Sequence, residues 1–234
     1  MKTIFKKTGL VLLMVALTLS AASCKTVENA NNKQKGGVIG AAGGAILGAI
    51  IGNNIGKGGN GELGAVIGGA IGGGAGVLIG NKMDKQAQQI ENEIPGATVE
   101  RVDDGIVVTF DENSGVYFNT AKYDVNTASQ ETLNKLVAVF QEYPDTNVLV
   151  VGHTDSVGSE ASNMTLSKNR ANAVTNYFLG KGLSAGRFTT NWFGEAQPTH
   201  DNATAEGRAK NRRVNIAILP NEKMIEDAKT EAGQ

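Results

Sequence analysis

The pattern of hydrophobic and polar positions changes several times along this chain, and each change marks a different kind of segment. An apolar run follows three lysines at the start, and a glycine-rich stretch extends over residues 36–80. From Thr98 onward, short apolar runs alternate with amphipathic stretches, which is typical of a globular α/β domain. The predicted segments are residues 1–23, 24–35, 36–80, 81–96, 97–220 and 221–234.

Residues 97–220 carry the signals of five strands and three helices. Thr127 and Gln130 resemble a capping box, and the helix that they begin is expected to end before Pro144. The strand candidates are 98–101, 106–110, 148–151, 187–193 and 213–219, with Tyr117-Phe118 prolonging the edge. The order of elements predicts an α/β fold, more specifically an α+β sandwich with one mixed sheet and helices on one side.

The segments that flank this domain are polar. Residues 81–93 suit a short helix or a tether, and residues 221–234 form a polar tail with a weak helical tendency.

The most informative stretch follows the strand candidate 148–151, whose continuous apolar run predicts burial on both faces. Asp155 comes just past the end of this strand, and Arg170 lies about two turns into the next helix. At such a rim open α/β sheets place their ligands, and a carboxylate with a guanidinium suits a zwitterion such as an amino acid or a peptide end. A structural salt bridge between Asp155 and Arg170 explains the same spacing.

Ordered motifs continue from this strand to the end of the domain. They are Gly152-His153-Thr154-Asp155, Gly158, Asn163, Leu166-Ser167, Arg170-Ala171, Gly194-Glu195, Pro198, Asn202, Thr204, Gly207-Arg208 and Asn211-Arg212-Arg213-Val214. Together they resemble the OmpA C-terminal-like domain, a family that includes the peptidoglycan-associated lipoproteins. The resemblance covers roughly residues 98–220.

This resemblance implies a ligand and a set of site residues. The ligand would be the peptide stem of peptidoglycan, with Asp155 and Arg170 gripping the amino and carboxyl groups of diaminopimelate. Asn163 corresponds to a position that lines the pocket, and Thr120 to a further contact. Asn119 stands where Asp is commoner in the family, which puts in doubt a charge contribution from that loop.

Other residues near the site have two interpretations or a structural one. Arg212 and Arg213 either hold the loop or approach the ligand's carboxylates, and a solvated strand end is the alternative interpretation. His153 is expected to be structural. It lies too close in sequence to Asp155 and Ser156 for the geometry of a catalytic triad, so we expect no catalysis.

Composition and charge exclude several classes of function. The formal net charge of −1 gives no electrostatic basis for nucleic-acid binding. One Cys and two His leave no disulfide framework and no zinc set, and no cofactor is expected.

The N-terminus predicts secretion and lipid attachment. Three lysines precede the apolar run 10–19, which is short for a membrane span, so residues 1–23 are interpreted as a signal peptide. The small residues before Cys24 resemble the lipobox of bacterial lipoproteins, although Ala21 stands where Leu is commoner. The resemblance implies an acylated Cys24, and ordinary cleavage that leaves a free Cys is the alternative.

Residues 36–80 carry glycines at every fourth position in two blocks, which on helices would form two smooth stripes. Such helices are poor in water but favourable in lipid, so we predict a two-helix hairpin in the membrane, resembling glycine-zipper domains of envelope lipoproteins. A flexible linker is the alternative. A dinucleotide fingerprint at residues 56–61 is discounted because no strand precedes it.

These elements together predict a non-enzymatic tether. Lipid on Cys24 would hold the chain in the bacterial outer membrane, and the globular domain would bind peptidoglycan in the periplasm. The main alternative is a homo-oligomeric pore built by the hairpin and fixed to the wall, although neither uncharged stretch offers the ionisable group that ion-conducting stators need. A peptidoglycan hydrolase lacks a metal set or a nucleophile with a base.

Overall fold

The computed structural model describes residues 73–233, except 103, 111–113, 119 and 120. The predictions for Cys24, Asn119, Thr120 and residues 1–72 therefore lie outside the described residues. Within the described ranges the elements, in chain order, are α1 (Gly73–Glu93), β1 (Thr98–Val102), β2 (Gly105–Phe110), α2 (Thr127–Glu142), β3 (Thr146–Gly152), α3 (Glu160–Gly180), a 3-10 turn (Ala185–Arg187), β4 (Phe188–Trp192), α4 (Ala205–Asn211), β5 (Val214–Pro220) and α5 (Glu222–Glu231).

The five strands form one mixed sheet in the order β1-β2-β5-β3-β4, which confirms the predicted sheet. β3 and β4 are parallel, whereas the other neighbouring pairs are antiparallel. The two strands with the longest apolar runs, β3 and β5, occupy interior positions, and the residues 148–151 are buried on both faces as predicted. This order brings the end of β3 beside the start of β5.

The main core lies between one face of the sheet and the helices α1, α2, α3 and α5, so the predicted one-sided arrangement is confirmed. Val148, Val150 and Ile216 point into this core from the sheet. Phe140 of α2 and Phe178 of α3 meet edge to face, with ring centroids 5.3 Å apart. Such a pair contributes about 0.5–1.5 kcal/mol beyond the area it buries, and here it joins two helices to each other.

Helix α1 crosses the boundary that we predicted at Gly80. Ala75 and Ile79, from the end of the predicted hairpin, are fully buried in the domain core together with Met83 and Ile90. The interpretation of residues 73–80 as membrane segment was therefore wrong, since the same spacing of apolar residues fits a protein core as well as lipid. Among the helices of the described ranges, none combines the length and hydropathy needed to cross a membrane.

The C-terminal segment was predicted as a polar tail but forms the packed helix α5. Asn221 caps this helix, because its side-chain oxygen accepts a hydrogen bond from the backbone N–H of Met224 at 2.9 Å. Met224 and Ala228, spaced by one turn, are buried in the main core. Two apolar positions are therefore enough to dock the helix, although they give a weak signal in the sequence.

Helix α2 begins one residue earlier than a capping box with Thr127 as its first member would require. Asn126 is the cap, and its side-chain oxygen accepts from the N–H of Ser129 at 2.9 Å, while its amide donates to the carbonyl of Tyr117 at 2.8 Å. Tyr117 lies in a loop that is held against the start of α2, so the prediction that it prolongs a strand was wrong. The helix ends at Glu142, before Pro144, as predicted.

Gln86 on α1 offers a first test of the packing. Its side chain is fully buried, yet neither amide atom makes a hydrogen bond within the described part of the chain. Because an unsatisfied buried amide is unfavourable, Gln86→Met should raise the free energy of unfolding by about 1–2 kcal/mol, as measured by urea denaturation. The matched control is Gln89→Met, whose amide bonds Glu142 at the surface and should change stability little. A destabilised Gln86→Met protein would contradict this packing.

Candidate functional site

The site is built where β3 ends and α3 passes close behind it. Gly152, the last residue of β3, lies against α3 so closely that a Cβ atom there would overlap with the carbonyl oxygen of Ser167. This contact requires glycine and brings the loop 153–159 beside the first turns of α3. Gly158, at φ +117°, completes the loop with a backbone conformation that other residues rarely adopt. Ser159 then caps α3 by accepting from the N–H of Ser162.

Asp155 is held by bonds to both of its carboxylate oxygens. Oδ1 accepts from the backbone N–H of Val157 at 3.0 Å, and Oδ2 pairs with Nη1 of Arg212 at 2.7 Å. The Asp155 side chain is 10% exposed and that of Arg212 is 29% exposed, so the pair lies at the surface but partly out of water. The alternative that Asp155 pairs with Arg170 is wrong, because the salt bridge runs to Arg212.

Arg170 is buried beside a different loop. Its Nε donates to the carbonyl oxygen of Lys122 at 3.1 Å, and its guanidinium lies over the ring of Phe118, 5.1 Å from the centroid. The residue is 3% exposed. The loop before α2 therefore wraps the guanidinium, and a cation stacked on a ring is stabilised there.

Asn163 links the two loops that follow β3 and β4. Its amide nitrogen donates to the backbone carbonyl of Asp155 at 3.2 Å and to the carboxylate of Glu195. Glu195 was not among the predicted site residues, although it belongs to the Gly194-Glu195 motif. Gly194, at φ +56°, lies against the backbone of Met164, and this close approach places Glu195 next to Asn163.

One polar stripe along α3 organises these contacts. Asn163, Ser167 and Arg170 follow each other at helical spacing and are all buried. Asn163 bonds the loop after β3, the Ser167 hydroxyl accepts from the N–H of Gly194 at 2.9 Å, and Arg170 bonds the loop before α2. A single helix face thus fixes three loops around the predicted acid and base.

Of the predicted site residues within the described ranges, the structure joins Asp155 and Asn163 directly. Arg170 lies on the same helix face as Asn163 but contacts another loop. Arg212 holds the loop through its ion pair with Asp155, which was one of the interpretations of this residue. Arg213 is 5% exposed and therefore is not a solvated strand end. The carboxylates of Asp155 and Glu195 and the guanidinium of Arg212 therefore lie at the loop after β3, and Arg170 lies beside the loop before α2.

His153 has the structural role that we expected, since it is 1% exposed and its ring stacks on Phe193 with centroids 5.7 Å apart. Burial, together with the smaller effect of the positive charge of Arg213, lowers the pKa of His153 to about 3. Burial also lowers the pKa of Arg213 to about 10, which leaves the guanidinium charged at neutral pH. The imidazole is therefore neutral in the folded protein.

The lowered pKa of His153 predicts that the folded protein loses stability as the pH falls. Because the unfolded chain binds a proton at His153 below about pH 6.5 while the folded chain does not, stability falls with pH from there to about pH 3, by at most about 1.4 kcal/mol per pH unit. His153→Phe should remove this part of the slope and retain the ring stack on Phe193. Urea unfolding at several pH values checks it, with the exposed His200→Gln as control. An unchanged slope in His153→Phe would count against the buried neutral ring.

Known proteins resemble both halves of this chain. Residues 117–212 match the model of the OmpA family, and residues 1–84 match that of the YMGG-like Gly-zipper. The chain is 35% identical over 224 residues to the probable lipoprotein YiaD of Escherichia coli, a match that covers 92% of this chain and 99% of that protein.

Two further proteins resemble the globular part. The peptidoglycan-binding protein ArfA of Mycobacterium bovis is 41% identical over 91 residues, which cover 39% of this chain and 28% of that protein. Among solved structures, the cell wall anchor of the T6SS from Pseudomonas aeruginosa is 30% identical with a TM-score of 0.50, and the match covers 59% of this chain and 97% of that one.

Proposed function

Because this chain belongs to the OmpA family, we propose that it binds peptidoglycan through the loop after β3 and the polar face of α3. The observation that carries the proposal is that one buried face of α3 serves both charges, since Asn163 bonds the loop of Asp155 and Arg170 lies about two turns further along the same helix. Asp155 supplies a carboxylate that is only 10% exposed, and Arg170 supplies a buried guanidinium from the next helix. The relatives known as a peptidoglycan-binding protein and as a cell wall anchor support the same ligand class.

The charges suit a zwitterionic amino acid in a wall peptide. An ammonium group of diaminopimelate binds Asp155 and so competes with Arg212, whose ion pair with Asp155 must loosen. Arg170, held by Lys122 and Phe118, receives a carboxylate. Both ionic groups of the ligand are needed, since without it Asp155 already pairs with Arg212 and Arg170 already bonds the carbonyl of Lys122. Asn163 fixes the loop that carries Asp155, and Asn119 and Thr120 complete the binding site.

The protein acts by binding and not by catalysis. His153 is the imidazole closest to the site in sequence, and its burial and its pKa of about 3 make it unsuitable as a general base at neutral pH. The protein therefore binds and releases peptidoglycan without changing it chemically. The strength of attachment depends on the number of contacts with the wall.

We assign the N-terminus the role of anchor. Acylated Cys24 holds the chain in the outer membrane, with the globular domain in the periplasm, and the relative described as a probable lipoprotein supports this arrangement. Each ion pair contributes little on its own, but a polymeric wall close to a membrane-bound receptor presents a high effective concentration of peptides. Weak single sites are thus sufficient for a stable link between membrane and wall.

A comparison of two kinds of cell wall tests the proposed ligand. The protein is incubated with insoluble peptidoglycan that contains either diaminopimelate or lysine, and the bound fraction is measured after sedimentation. Lysine lacks the second carboxylate, so we expect at least about tenfold weaker retention on the lysine type, which corresponds to about 1.4 kcal/mol. Equal retention on both walls, or none on either, would overturn the proposed recognition.

A further inference from the structure

The two loops that α3 holds expose several apolar side chains. Among the described residues, four large hydrophobic side chains are exposed by a third or more, namely Val77, Tyr117, Tyr123 and Val157. Tyr117 and Tyr123 belong to the loop before α2, Val157 belongs to the loop after β3, and Val77 lies on α1. Single exposed apolar residues are common on proteins, but a group of them at one site indicates a surface that contacts a ligand.

The loop before α2 is fixed at its ends and next to Tyr123. The backbone carbonyl of Tyr117 accepts from the side-chain amide of Asn126 at 2.8 Å, which joins the start of the loop to its end. Directly before Tyr123, the carbonyl of Lys122 accepts from Nε of Arg170 at 3.1 Å. The two tyrosine rings are therefore presented by a backbone that is already ordered, which lowers the entropy lost when a ligand binds.

Ala121 shows that this loop adopts a strained conformation. Its φ is +54°, in the left-handed region, and it is the one non-glycine residue with a positive φ among those the structure describes. Strained backbone persists where the surrounding contacts fix it, and it recurs at segments that bind ligands. Lys122 and Tyr123 follow directly. The strain therefore lies where the loop meets Arg170 and exposes Tyr123.

The two loops lie a short distance apart along α3. Asn163 bonds the loop after β3 and Arg170 bonds the loop before α2. About two turns of helix, or roughly 10 Å, separate these two residues. A wall peptide whose zwitterionic residue reaches from Asp155 to Arg170 lies across this gap. The groups attached to that peptide then come next to the exposed side chains of the two loops.

The surroundings of the tyrosines suit a sugar better than a purely apolar partner. A tyrosine has an apolar ring face and a hydroxyl that both donates and accepts hydrogen bonds. Lys122 and Asp124, on either side of Tyr123, are exposed and offer a donor and an acceptor. A sugar ring has a face of C–H groups and a rim of hydroxyls, so it contacts the aromatic face and the polar neighbours together. A lipid or an apolar protein surface would leave these two charges unmatched.

We propose that Tyr117 and Tyr123 form a sugar-binding subsite for the glycan strand to which the wall peptide is attached. This proposal rests on the function proposed above, because the peptide bound at Asp155 and Arg170 brings the glycan to the loop before α2. Val157 donates its N–H to Oδ1 of Asp155, so its side chain lies on the peptide side of the site. The domain thus recognises both chemical halves of peptidoglycan.

Titration with two soluble wall fragments tests the subsite. One ligand is a disaccharide of the wall sugars that carries the diaminopimelate peptide, and the other is the same peptide after the sugars have been removed. Isothermal titration calorimetry of the full chain in detergent gives both dissociation constants. The variants are Tyr117→Ser, Tyr123→Ser and the conservative Tyr123→Phe. Val77→Ser is the matched control, since Val77 is an exposed apolar residue outside the two loops.

We expect the unsubstituted protein to bind the disaccharide ligand about fivefold more tightly than the free peptide, because an aromatic ring packs on a sugar. Tyr117→Ser and Tyr123→Ser should each lower this ratio at least about twofold. Binding of the free peptide should stay unchanged in both, because backbone atoms hold the loop. Tyr123→Phe and Val77→Ser should retain the ratio.

Equal affinity of the unsubstituted protein for both ligands would overturn the sugar subsite and leave the peptide site standing. An unchanged ratio in both serine variants would overturn it as well. So would an equal loss of affinity for the free peptide, because the rings would then serve the peptide or the loop. Binding of neither ligand would reject the proposed function together with the subsite.

Discussion

Asp155→Asn should lower the affinity for insoluble peptidoglycan by about 30-fold or more, and Arg170→Lys should do the same. Truncating one partner of a partly buried charge pair costs about 2–5 kcal/mol, which corresponds to that factor or a larger one. Asn at 155 retains an oxygen that can accept from Val157, so the loop should keep its conformation. Lys at 170 retains the charge but loses the forked geometry that pairs with a carboxylate. Sedimentation with purified wall measures both effects.

The control for these two variants is Asp145→Asn. Asp145 also carries a carboxylate in a salt bridge, with Lys223 at 3.0 Å, but it lies before the start of β3, at the other end of the strand from the site. The affinity of the Asp145→Asn protein for the wall should equal that of the unsubstituted protein. Circular dichroism of all three variants separates loss of binding from loss of folding. Wild-type retention of both site variants would reject the site.

Gly152→Ala should destabilise the fold by about 3 kcal/mol or more. The added Cβ overlaps with the carbonyl oxygen of Ser167 and comes within 3.2 Å of the Cβ of Ala171. Both of these atoms belong to α3, and the carbonyl oxygen is part of its backbone. The overlap can therefore be avoided only if the whole helix moves away from β3. Urea denaturation measures the loss of stability, and wall binding should fall with it because α3 carries Asn163 and Arg170.

Gly180→Ala provides the matched control on the same helix. Gly180 ends α3, and a Cβ there meets no atom within 4 Å. Because Ala is a better helix former than Gly, the substitution should change the free energy of unfolding by no more than about 1 kcal/mol, in the stabilising direction. If Gly152→Ala were as stable as Gly180→Ala, the close contact between β3 and α3 would be disproved.

The sheet could be predicted from the sequence because its strands carry strong local signals. The run at 148–151 is too apolar for a solvated strand, Val214, Ile216 and Ile218 alternate on one face of the last strand, and the turn before Gly105 marks the hairpin of β1 and β2. Asp155 and Arg170 could be singled out because each stands at a fixed distance from such an element, and their role in binding stays a prediction. Their surroundings were harder to predict, because they depend on which strands become neighbours.

The pairing of Asp155 with Arg212 illustrates that limit. The two residues are 57 positions apart, and they meet because β5 lies next to β3 in the sheet. Glu195 reaches the site by a similar route, from the loop after β4. No local pattern records the order of strands, so the nearer candidate in sequence, Arg170, was considered as the partner of Asp155.

The start of the domain was misplaced for a related reason. Ala75, Ile79 and Met83 stand at every fourth position, and this spacing fits a helix against lipid and a helix against a sheet equally well. What distinguishes the two is the partner surface, here supplied by α2, α5 and the strands β1 and β2. Similarly, the sequence does not indicate that Met224 and Ala228, the two buried apolar residues of the last helix, pack in the same core as α1.

A crystal structure of the protein with bound diaminopimelate would show whether Asp155 and Arg170 bind the two ends of this amino acid. We expect an ammonium group of the ligand at about 3 Å from Asp155, a loosened ion pair with Arg212, and a ligand carboxylate in contact with Arg170. A ligand bound elsewhere, with Asp155 still paired to Arg212 and Arg170 touching only the loop of Lys122, would contradict it.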